Sequence, residues 1–555
     1  MRTHRTRPGL ARPGLAERRL RQGAALVAAV AAACAVLWPD ASQAALTENL
    51  TTSVTAMALG NAVTADPPGI DSIHFNPAGL ARLTGDSESI HNFVASIRTS
   101  ASFNAPPGFD IGGWTDDPVA GTHTGPVRQI MYVPGYGKPG WRLPAVAVPG
   151  VGMAWNKAGS PWTFATNSYL SQAMSVDRTT DPNDPAAFDG RQIQIQRLVY
   201  ASPSVGYKYS DTLRFGASVP IAHAAFLVDT DMRLPNELLG VFGQLQKGWC
   251  PENGGNVIDV FGFGICGGGK DGMVSPFKKA ANLHIEMTAP FDPTLNLGVL
   301  WEPKDWFGLG AVYQGGSKTH YTGTFQFTTE PMLRNFVQGM NASLLGPIAG
   351  AVLGFPSSIP PVQHGNMSAT LPFPMHVQVG IKLKPVRYVQ LNVDASYARW
   401  SEWNNFTFQF DQSVKLLEVA RLYGIPDSTK LVIPRGYTSK TNFAYGLNLY
   451  PTERLTLRMG FEPRKSSIPS DKIDLQAPLP DTRLYSAGIN FKVTKNMDVS
   501  LTGSYLKGKF NVPANTDCNL NCNNFFNVIY NPYAGLDVAG DIHVRYFGFE
   551  INHRF

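Results

Sequence analysis

The sequence predicts an all-β fold, a 14-stranded antiparallel transmembrane β-barrel, from three observations. Apolar and polar residues alternate along many short segments, the segments are joined by turns of two very different lengths, and the last segment ends on Phe555. A period of two places alternate side chains on opposite faces of a sheet. An apolar outer face against lipid and a polar inner face give a membrane barrel this pattern.

Residues 1–44 have the order of an export signal, with a basic region, an apolar region and then small residues. Seven arginines lie between Arg2 and Arg21, and an apolar run of 16 residues extends from Gly23 to Trp38. A spanning helix needs roughly 20 residues, so we expect cleavage near Ala44 rather than a membrane anchor. Loss of seven basic and two acidic side chains lowers the formal charge from +6 to +1. No concentrated basic patch remains, so no nucleic-acid partner is expected.

The composition after residue 44 leaves two classes of protein. No apolar run reaches 18 residues although 43% of the chain is hydrophobic, which excludes a helical membrane protein. A secreted β protein and a membrane β-barrel remain.

Alternation favours the barrel. The segment His376–Lys384 has Val377, Val379, Ile381 and Leu383 on one face and His376, Gln378, Lys382 and Lys384 on the other. Short turns such as Pro385–Arg387 and Thr494–Asn496 alternate with long connections such as Val512–Gly540. Short turns at one rim and long loops at the other are typical of outer-membrane barrels. Phe555 closes the last alternating strand as in the signal read by the barrel assembly machinery, which is therefore an expected partner.

Fourteen strands are predicted, an even number as closure requires. Their approximate starts are Ser89, Val127, Ala145, Arg191, Leu213, Ala281, Trp306, Asn366, Tyr388, Gly436, Arg454, Thr482, Met497 and Gly540.

Residues 45–88 do not alternate, and they carry the resemblance to a known family. They read TAMALGNAVTADPPGIDSIHFNPAGLARL, with Phe75 before the turn Asn76–Pro77–Ala78. This stretch is similar to the start of FadL-type outer-membrane transporters. The resemblance continues in LPFPMHVQVGIKL, YARWSEWNNF and LRMGFEPRKSSIP, and covers nearly all of residues 45–555.

The resemblance implies a fold and a function. Residues 45–88 would form a hatch inside the lumen, and residues 89–555 the barrel. The function implied is uptake of long-chain fatty acids or other small hydrophobic molecules across the outer membrane, by a monomer surrounded by outer-membrane lipid. In that family the ligand is captured among external loops, passes to a lumenal pocket and leaves sideways through a kink in the third strand.

The longest predicted external loops lie near residues 229–279 and 329–365. Each has apolar residues at helical spacing, and a loop this apolar would otherwise expose an adhesive patch. The candidate ligand-binding residues are Leu238, Phe242, Phe336, Met340 and Leu344. The alternative is that the helices bury these stripes against each other and only cap the barrel.

The candidate lateral exit is Gly159–Ser160–Pro161, which interrupts the predicted third strand; the alternative is that these residues are simply the end of that strand. The resemblance also implies that basic groups meet the carboxylate of a fatty-acid ligand. The fifth strand has His223 and Ala225 where a strong cation would be expected, so a carboxylate ligand is less well supported than a hydrophobic one.

Four cysteines remain after the signal: Cys250, Cys266, Cys518 and Cys522. Cys250 and Cys266 lie in a segment rich in Gly, and Cys518 and Cys522 in one rich in Asn. No His lies at zinc spacing, so the loop disulfides Cys250–Cys266 and Cys518–Cys522 are favoured over free thiols and over metal ligation. No nucleophile elbow or zinc motif is present, so we expect neither an enzyme nor a cofactor. The remaining alternatives are a general diffusion porin and a secreted lipid-binding β protein.

Overall fold

The computed structural model describes residues 49–131, 141–143, 146–250, 259, 264–353, 356–423, 427–476, 478–523 and 530–555. The expected signal, residues 1–44, lies outside them. Within this range the chain forms a closed antiparallel barrel, because the first barrel strand pairs with the last from Ser87↔Arg554 to Asn104↔Asp537.

Fourteen barrel strands are formed by the described residues, several of them in two parts. They are β1 Ser87–Asn104, β2 Val146–Trp155, β3 Trp162–Asp177, β4 Gln192–Ala201 with Ser204–Lys208, β5 Leu213–Ser218 with Ile221–Arg233, β6 Lys279–Pro293 with Asn296–Lys304, β7 Phe307–Gln314 with Ser317–Thr329, β8 Val362–Phe373 with His376–Val386, β9 Val389–Ala398 with Asn405–Phe410, β10 Lys430–Pro434 with Lys440–Leu449, β11 Leu455–Arg464, β12 Thr482–Lys492, β13 Met497–Val512 and β14 Asp537–Arg554.

Helices lie before the barrel and in the long loops. They are α1 Val54–Ala58, α2 Ser72–Phe75, α3 Ala187–Gly190, α4 Glu237–Trp249, α5 Pro331–Asn341, α6 Gly346–Leu353 and α7 Lys415–Val419, with 3-10 turns at Pro77–Arg82, Lys270–Gly272, Trp400–Glu402 and Ala420–Tyr423. Of the helices in the described part of the chain, none has both the length and the apolar character needed to cross a membrane.

The two faces of the barrel wall confirm the predicted alternation. Val379 is 50% exposed on the outside, whereas the preceding Gln378 is buried. Phe491 and Asn490 repeat this arrangement in β12. Apolar side chains therefore face outward and polar ones inward, which suits a wall in contact with lipid.

Aromatic side chains ring the rim that carries the short turns. Large aromatic residues at the interface between hydrocarbon and water are typical of outer-membrane barrels. The exposed aromatic residues at this rim include Trp162, Tyr209, Trp306, Tyr388 and Phe555.

The predicted number of strands is confirmed, but one predicted strand is wrong and one was missed. Near the predicted start at Val127, residues Gln129–Met131 pair with Trp141–Leu143 in a separate two-stranded sheet. The predicted third strand, starting at Ala145, is instead two strands, β2 and β3. The total stayed the same because the two errors cancel.

Gly159, Ser160 and Pro161 lie in the turn between β2 and β3, so their interpretation as a kink within one strand is wrong. The two strands are antiparallel neighbours, with Val151↔Ser168 in register. Gly159 has a φ of 79°, in the left-handed region that glycine adopts at tight turns. Asn156 closes the turn by donating from Nδ2 to the carbonyl of Trp162 at 3.0 Å. The chain therefore reverses direction where one bent strand was expected.

Candidate functional site

Residues 49–83, the N-terminal segment, make hydrogen bonds to the barrel wall on all sides. Backbone groups of the segment pair with wall side chains, as where Asp394 in β9 accepts from the amide of Thr64 at 2.7 Å. Four strands further around the ring, Thr502 in β13 donates to the carbonyl of Val54 at 2.8 Å. Other wall residues that bond the segment are Leu170, Ser218, Val299, Asn392 and Glu462. These contacts satisfy buried polar groups that would otherwise destabilise the fold.

The turn Asn76–Pro77–Ala78 is one of the anchored points. The Asn76 side chain accepts from the amide of Ala78 at 3.2 Å and so caps the following 3-10 turn. Its Nδ2 donates to the carbonyl of Thr64 at 2.9 Å and to that of Val299 in β6 at 3.0 Å. Phe75 is completely buried beside it. One amide side chain thus fixes the turn and ties it to the wall.

Glycines in the wall allow the segment to approach the strands closely. At Gly310 in β7, an added Cβ would lie 2.1 Å from the carbonyl oxygen of Thr64. At Gly460 in β11 it would lie 2.0 Å from the amide nitrogen of Gly60. The wall glycines where a Cβ would come within 3 Å of the segment are Gly152, Gly206, Gly216, Gly298, Gly310, Gly380, Gly460 and Gly488. The wall is therefore shaped to the segment through most of its circumference.

An ion-pair network fixes the end of the segment to the wall. Arg82 pairs with Asp66 at 2.8 Å and with Glu302 of β6 at 2.7 Å. Glu302 also pairs with Arg214 of β5 at 2.8 Å and with Lys382 of β8. Networks of several charges contribute more than isolated surface pairs. The network joins the segment to three strands at once.

A separate apolar cavity of about 330 Å³ lies between the barrel wall and the long loops. Strands β3, β4, β5, β6, β7, β9 and β10 supply one side, and helices α4, α5 and α7 supply the other. The apolar side chains that line the cavity include Phe226, Val228, Leu238, Leu239, Phe242, Leu283, Ile285, Phe327, Leu333, Phe336, Met340, Trp403, Phe406, Phe408, Leu416, Leu417, Leu431 and Ile433. Ligand sites for small lipophiles are concave and apolar in this way.

Helices α4 and α5 place four of the five predicted ligand-binding residues at this cavity. Asn236 caps α4 by accepting from the amide of Leu238 at 2.8 Å, and Pro331 occupies the first turn of α5. Leu238, Phe242, Phe336 and Met340 then line the cavity. The helices also touch each other, since the rings of Phe242 and Phe336 are 6.2 Å apart.

Leu344 does not line the cavity. It follows the end of α5 and is 63% exposed. Helical spacing predicted it as part of the stripe, but the helix ends at Asn341 and the stripe ends with it.

The two predicted disulfides, Cys250–Cys266 and Cys518–Cys522, are formed. The first joins the end of α4 to the loop that precedes β6. Gln246 on the same helix supports this connection, donating to the carbonyls of Ile265 at 2.7 Å and Gly272 at 3.0 Å. The disulfide and Gln246 thus tie α4 to the loop that follows it.

Several polar side chains at one end of the cavity were not found by the sequence analysis. Arg435, Asp474 and Asp189 lie there with Asn519 and Tyr530. Arg435 pairs with Asp474, and Asp189 accepts from the amide of Leu475 at 2.5 Å. Burial, followed by the charge of Asp474, raises the pKa of Asp189 to about 8. These polar residues come from separate parts of the chain, so no spacing in the sequence predicts that they lie together.

Inward polar residues of the wall make hydrogen bonds with the segment. Asp394 holds Thr64, and His376 bonds Gln314 at 3.0 Å, which in turn donates to the carbonyl of His74. Across the described part of the chain, no group of three or more His, Cys, Asp or Glu side chains is placed to hold a metal ion.

Fold and site together define an outer-membrane β-barrel with an N-terminal segment bonded to its wall and an apolar cavity under its long loops. The family described as "Outer membrane protein transport protein (OMPP1/FadL/TodX)" matches residues 32–555. The chain belongs to this family, whose members are transport proteins rather than enzymes.

Solved structures of similar fold agree with this assignment. A Pseudomonas aeruginosa FadL homologue aligns with a TM-score of 0.63 at 16% identity, over 92% of this chain and 100% of the other. The toluene transporter TodX of P. putida aligns with a TM-score of 0.55 at 13% identity, over 92% and 99%. The toluene transporter TbuX of Ralstonia pickettii aligns with a TM-score of 0.54 at 14% identity, over 91% and 98%. A search of curated proteins by sequence gave no match.

Proposed function

We propose that the protein takes up small hydrophobic molecules, a class that includes long-chain fatty acids and other lipophiles, across the outer membrane. The observation that carries this proposal is the apolar cavity of about 330 Å³ beneath α4 and α5. Lipophiles partition poorly into a water-filled pore and gain free energy by moving between apolar surfaces. The structural relatives named as toluene transporters support cargo of this class.

The N-terminal segment is proposed to act as the hatch that separates the cavity from the opposite rim. Its hydrogen bonds around the ring, the close approach of wall glycines and the Arg82 network support this role. A general diffusion porin needs a continuous aqueous lumen, so a segment bonded in this way disfavours that alternative.

A lateral exit between β1 and β3 is proposed in place of the kink first expected. The pairing of β1 with β2 is described as far as Ala95↔Val146, and β3 has a register shift between Leu170 and Gln172. In the gap between β1 and β3, Gln129 donates from Nε2 to the carbonyl of Ile97 at 3.1 Å, and the backbone of Arg128 pairs with that of Asp177. Small cavities beside this gap are lined by Leu50 of the segment and by Ile97 and Ala173 of the two strands. Met174 lines both one of these cavities and the large one. These positions offer cargo an apolar route toward the membrane once residues 128–130, which bond both strands, move aside.

Met340→Glu tests the cavity, with Leu344→Glu as the matched control. A carboxylate in an apolar cavity costs several kcal/mol unless it is paired, so uptake of a labelled lipophile by intact cells is expected to fall at least tenfold. Leu344 is exposed and does not line the cavity, so the same substitution there is expected to leave uptake unchanged. Equal uptake by the two variants would show that cargo does not pass through this cavity.

A further inference from the structure

The polar end of the cavity differs from the rest of its lining. The loop between β3 and β4 brings Asp189, the break within β10 brings Arg435, and the loop between β11 and β12 brings Asp474. All three are almost completely buried. A cargo molecule lying in the cavity would meet these groups with one end and apolar side chains with the remainder.

Arg435 is the cation of this group, and its charge is already neutralised. Its Nη1 pairs with Asp474, and its guanidinium lies 4.9 Å from the ring centre of Phe406. Its Nε has no hydrogen-bond partner among the described residues. The positive charge is therefore not available to the cargo, and Nε is itself enclosed by protein rather than open to the cavity.

Two further carboxyls surround the pair. Asp189 lines the cavity, and Asp517 lies nearby, since the charge of Asp517 contributes to raising the pKa of Asp189 and the charge of Asp474 contributes to raising that of Asp517. Burial is the main cause that raises the pKa of Asp517, to about 7. Because the Arg435–Asp474 pair cancels, the group has no net positive charge whether these two carboxyls are ionised or protonated.

We propose that the cavity selects uncharged lipophiles that carry a hydroxyl group and discriminates against carboxylates. A hydroxyl group is uncharged and can donate to a carboxyl oxygen such as those of Asp189, which lines the cavity. A carboxylate only accepts, and it would be buried beside carboxyls without an unpaired cation, which is strongly unfavourable. This inference rests on the proposed function, since it names the class of cargo for the same cavity.

The test compares 1-decanol with decanoate, which share a chain length and differ only in the head group. The full-length protein is placed in lipid nanodiscs, and binding is measured by equilibrium dialysis at neutral pH against empty nanodiscs. Wild-type protein is expected to bind decanol at least tenfold more tightly than decanoate, relative to the empty discs. Equal or tighter binding of decanoate would overturn the inference and leave the proposed uptake function standing. Binding of neither probe would count against the proposed function itself.

Asp474→Asn tests the cause of the selectivity. The variant leaves the charge of Arg435 uncancelled, so decanoate binding is expected to strengthen at least tenfold while decanol binding changes less than threefold. Asp474→Glu keeps the pair and is expected to retain the wild-type preference. The matched control is Asp481→Asn, which breaks the exposed pair with Lys465 (2.6 Å) outside the cavity and should change neither probe.

Heat-modifiable migration on gels checks that each variant has assembled. If Asp474→Asn does not assemble, the comparison of the two probes on wild-type protein decides the proposal alone. An assembled Asp474→Asn variant with unchanged decanoate binding would overturn it.

Discussion

At the scale of single residues, the fit between the wall and the N-terminal segment depends on missing side chains as much as on hydrogen bonds. Gly310 and Gly460 let backbone meet backbone where any Cβ would overlap. Asn76 and Asp394 then fix the segment by bonds that apolar contacts do not supply. A strand glycine of this kind marks the close approach of another backbone.

Gly310→Ala is expected to displace the segment, because the added Cβ would overlap the carbonyl of Thr64. Overpacking of this kind costs about 1–3 kcal/mol, and protease digestion should cut the segment faster than in wild-type protein. Gly503 in β13 has no atom within 4 Å of an added Cβ, so Gly503→Ala is the matched control and should behave as wild type. Equal digestion of both variants would show that the segment does not rest against Gly310.

The sequence predicted some residues of the site and not others, for a physical reason. Leu238, Phe242, Phe336 and Met340 share helices, so their spacing reveals a common face. Arg435 and its neighbouring carboxyls come together only through the closure of the barrel. Contacts between loops far apart in sequence leave no periodic signal.

At the scale of elements, α4 and α5 form the cavity's outer wall and depend on their connections to the loops. The disulfide Cys250–Cys266 closes a loop with a sequence separation of 16, whereas Cys518–Cys522 closes one of 4. Stabilisation by chain-entropy loss increases with loop length and reaches about 3 kcal/mol for a 15-residue loop.

Removing the first disulfide by Cys250→Ser with Cys266→Ser is therefore expected to loosen α4 and weaken binding of lipophilic cargo. The effect on the barrel should be small, because none of the strand pairs involves these residues. The rate of amide hydrogen exchange in α4 measures this. The control is a variant that carries both Cys518→Ser and Cys522→Ser. Exchange in α4 that is no faster than in the control variant would contradict the expectation.

The strands were predicted well where apolar and polar residues alternate, and poorly where prolines lie within a short stretch. β8 and β12 match their predicted starts within a few residues. Between Val146 and Asp177, Pro149 and Pro161 gave one interrupted pattern for two strands. A turn of six residues that contains Gly and Pro resembles a kink in sequence, because both remove ladder hydrogen bonds.

At the scale of the whole molecule, the barrel wall is apolar outside and polar inside. This arrangement gives each strand its alternating pattern, so the barrel could be predicted from the sequence alone. The polar inner face bonds the segment through side chains of β5, β9, β11 and β13, and through backbone carbonyls of β3 and β6 that accept from side chains of the segment. A barrel that transports lipophiles selectively needs an apolar route for the cargo and a lumen that is closed to water.

Deletion of residues 50–80 tests this central claim most directly, by measuring ion conductance in planar bilayers. The barrel should still assemble, because every strand keeps its ladder partners. Wild-type protein is expected to pass little current, and the deletion variant to conduct as an open aqueous pore while it loses selective uptake of lipophiles. Equal conductance of the two proteins would contradict the account, because the segment would not then close the lumen.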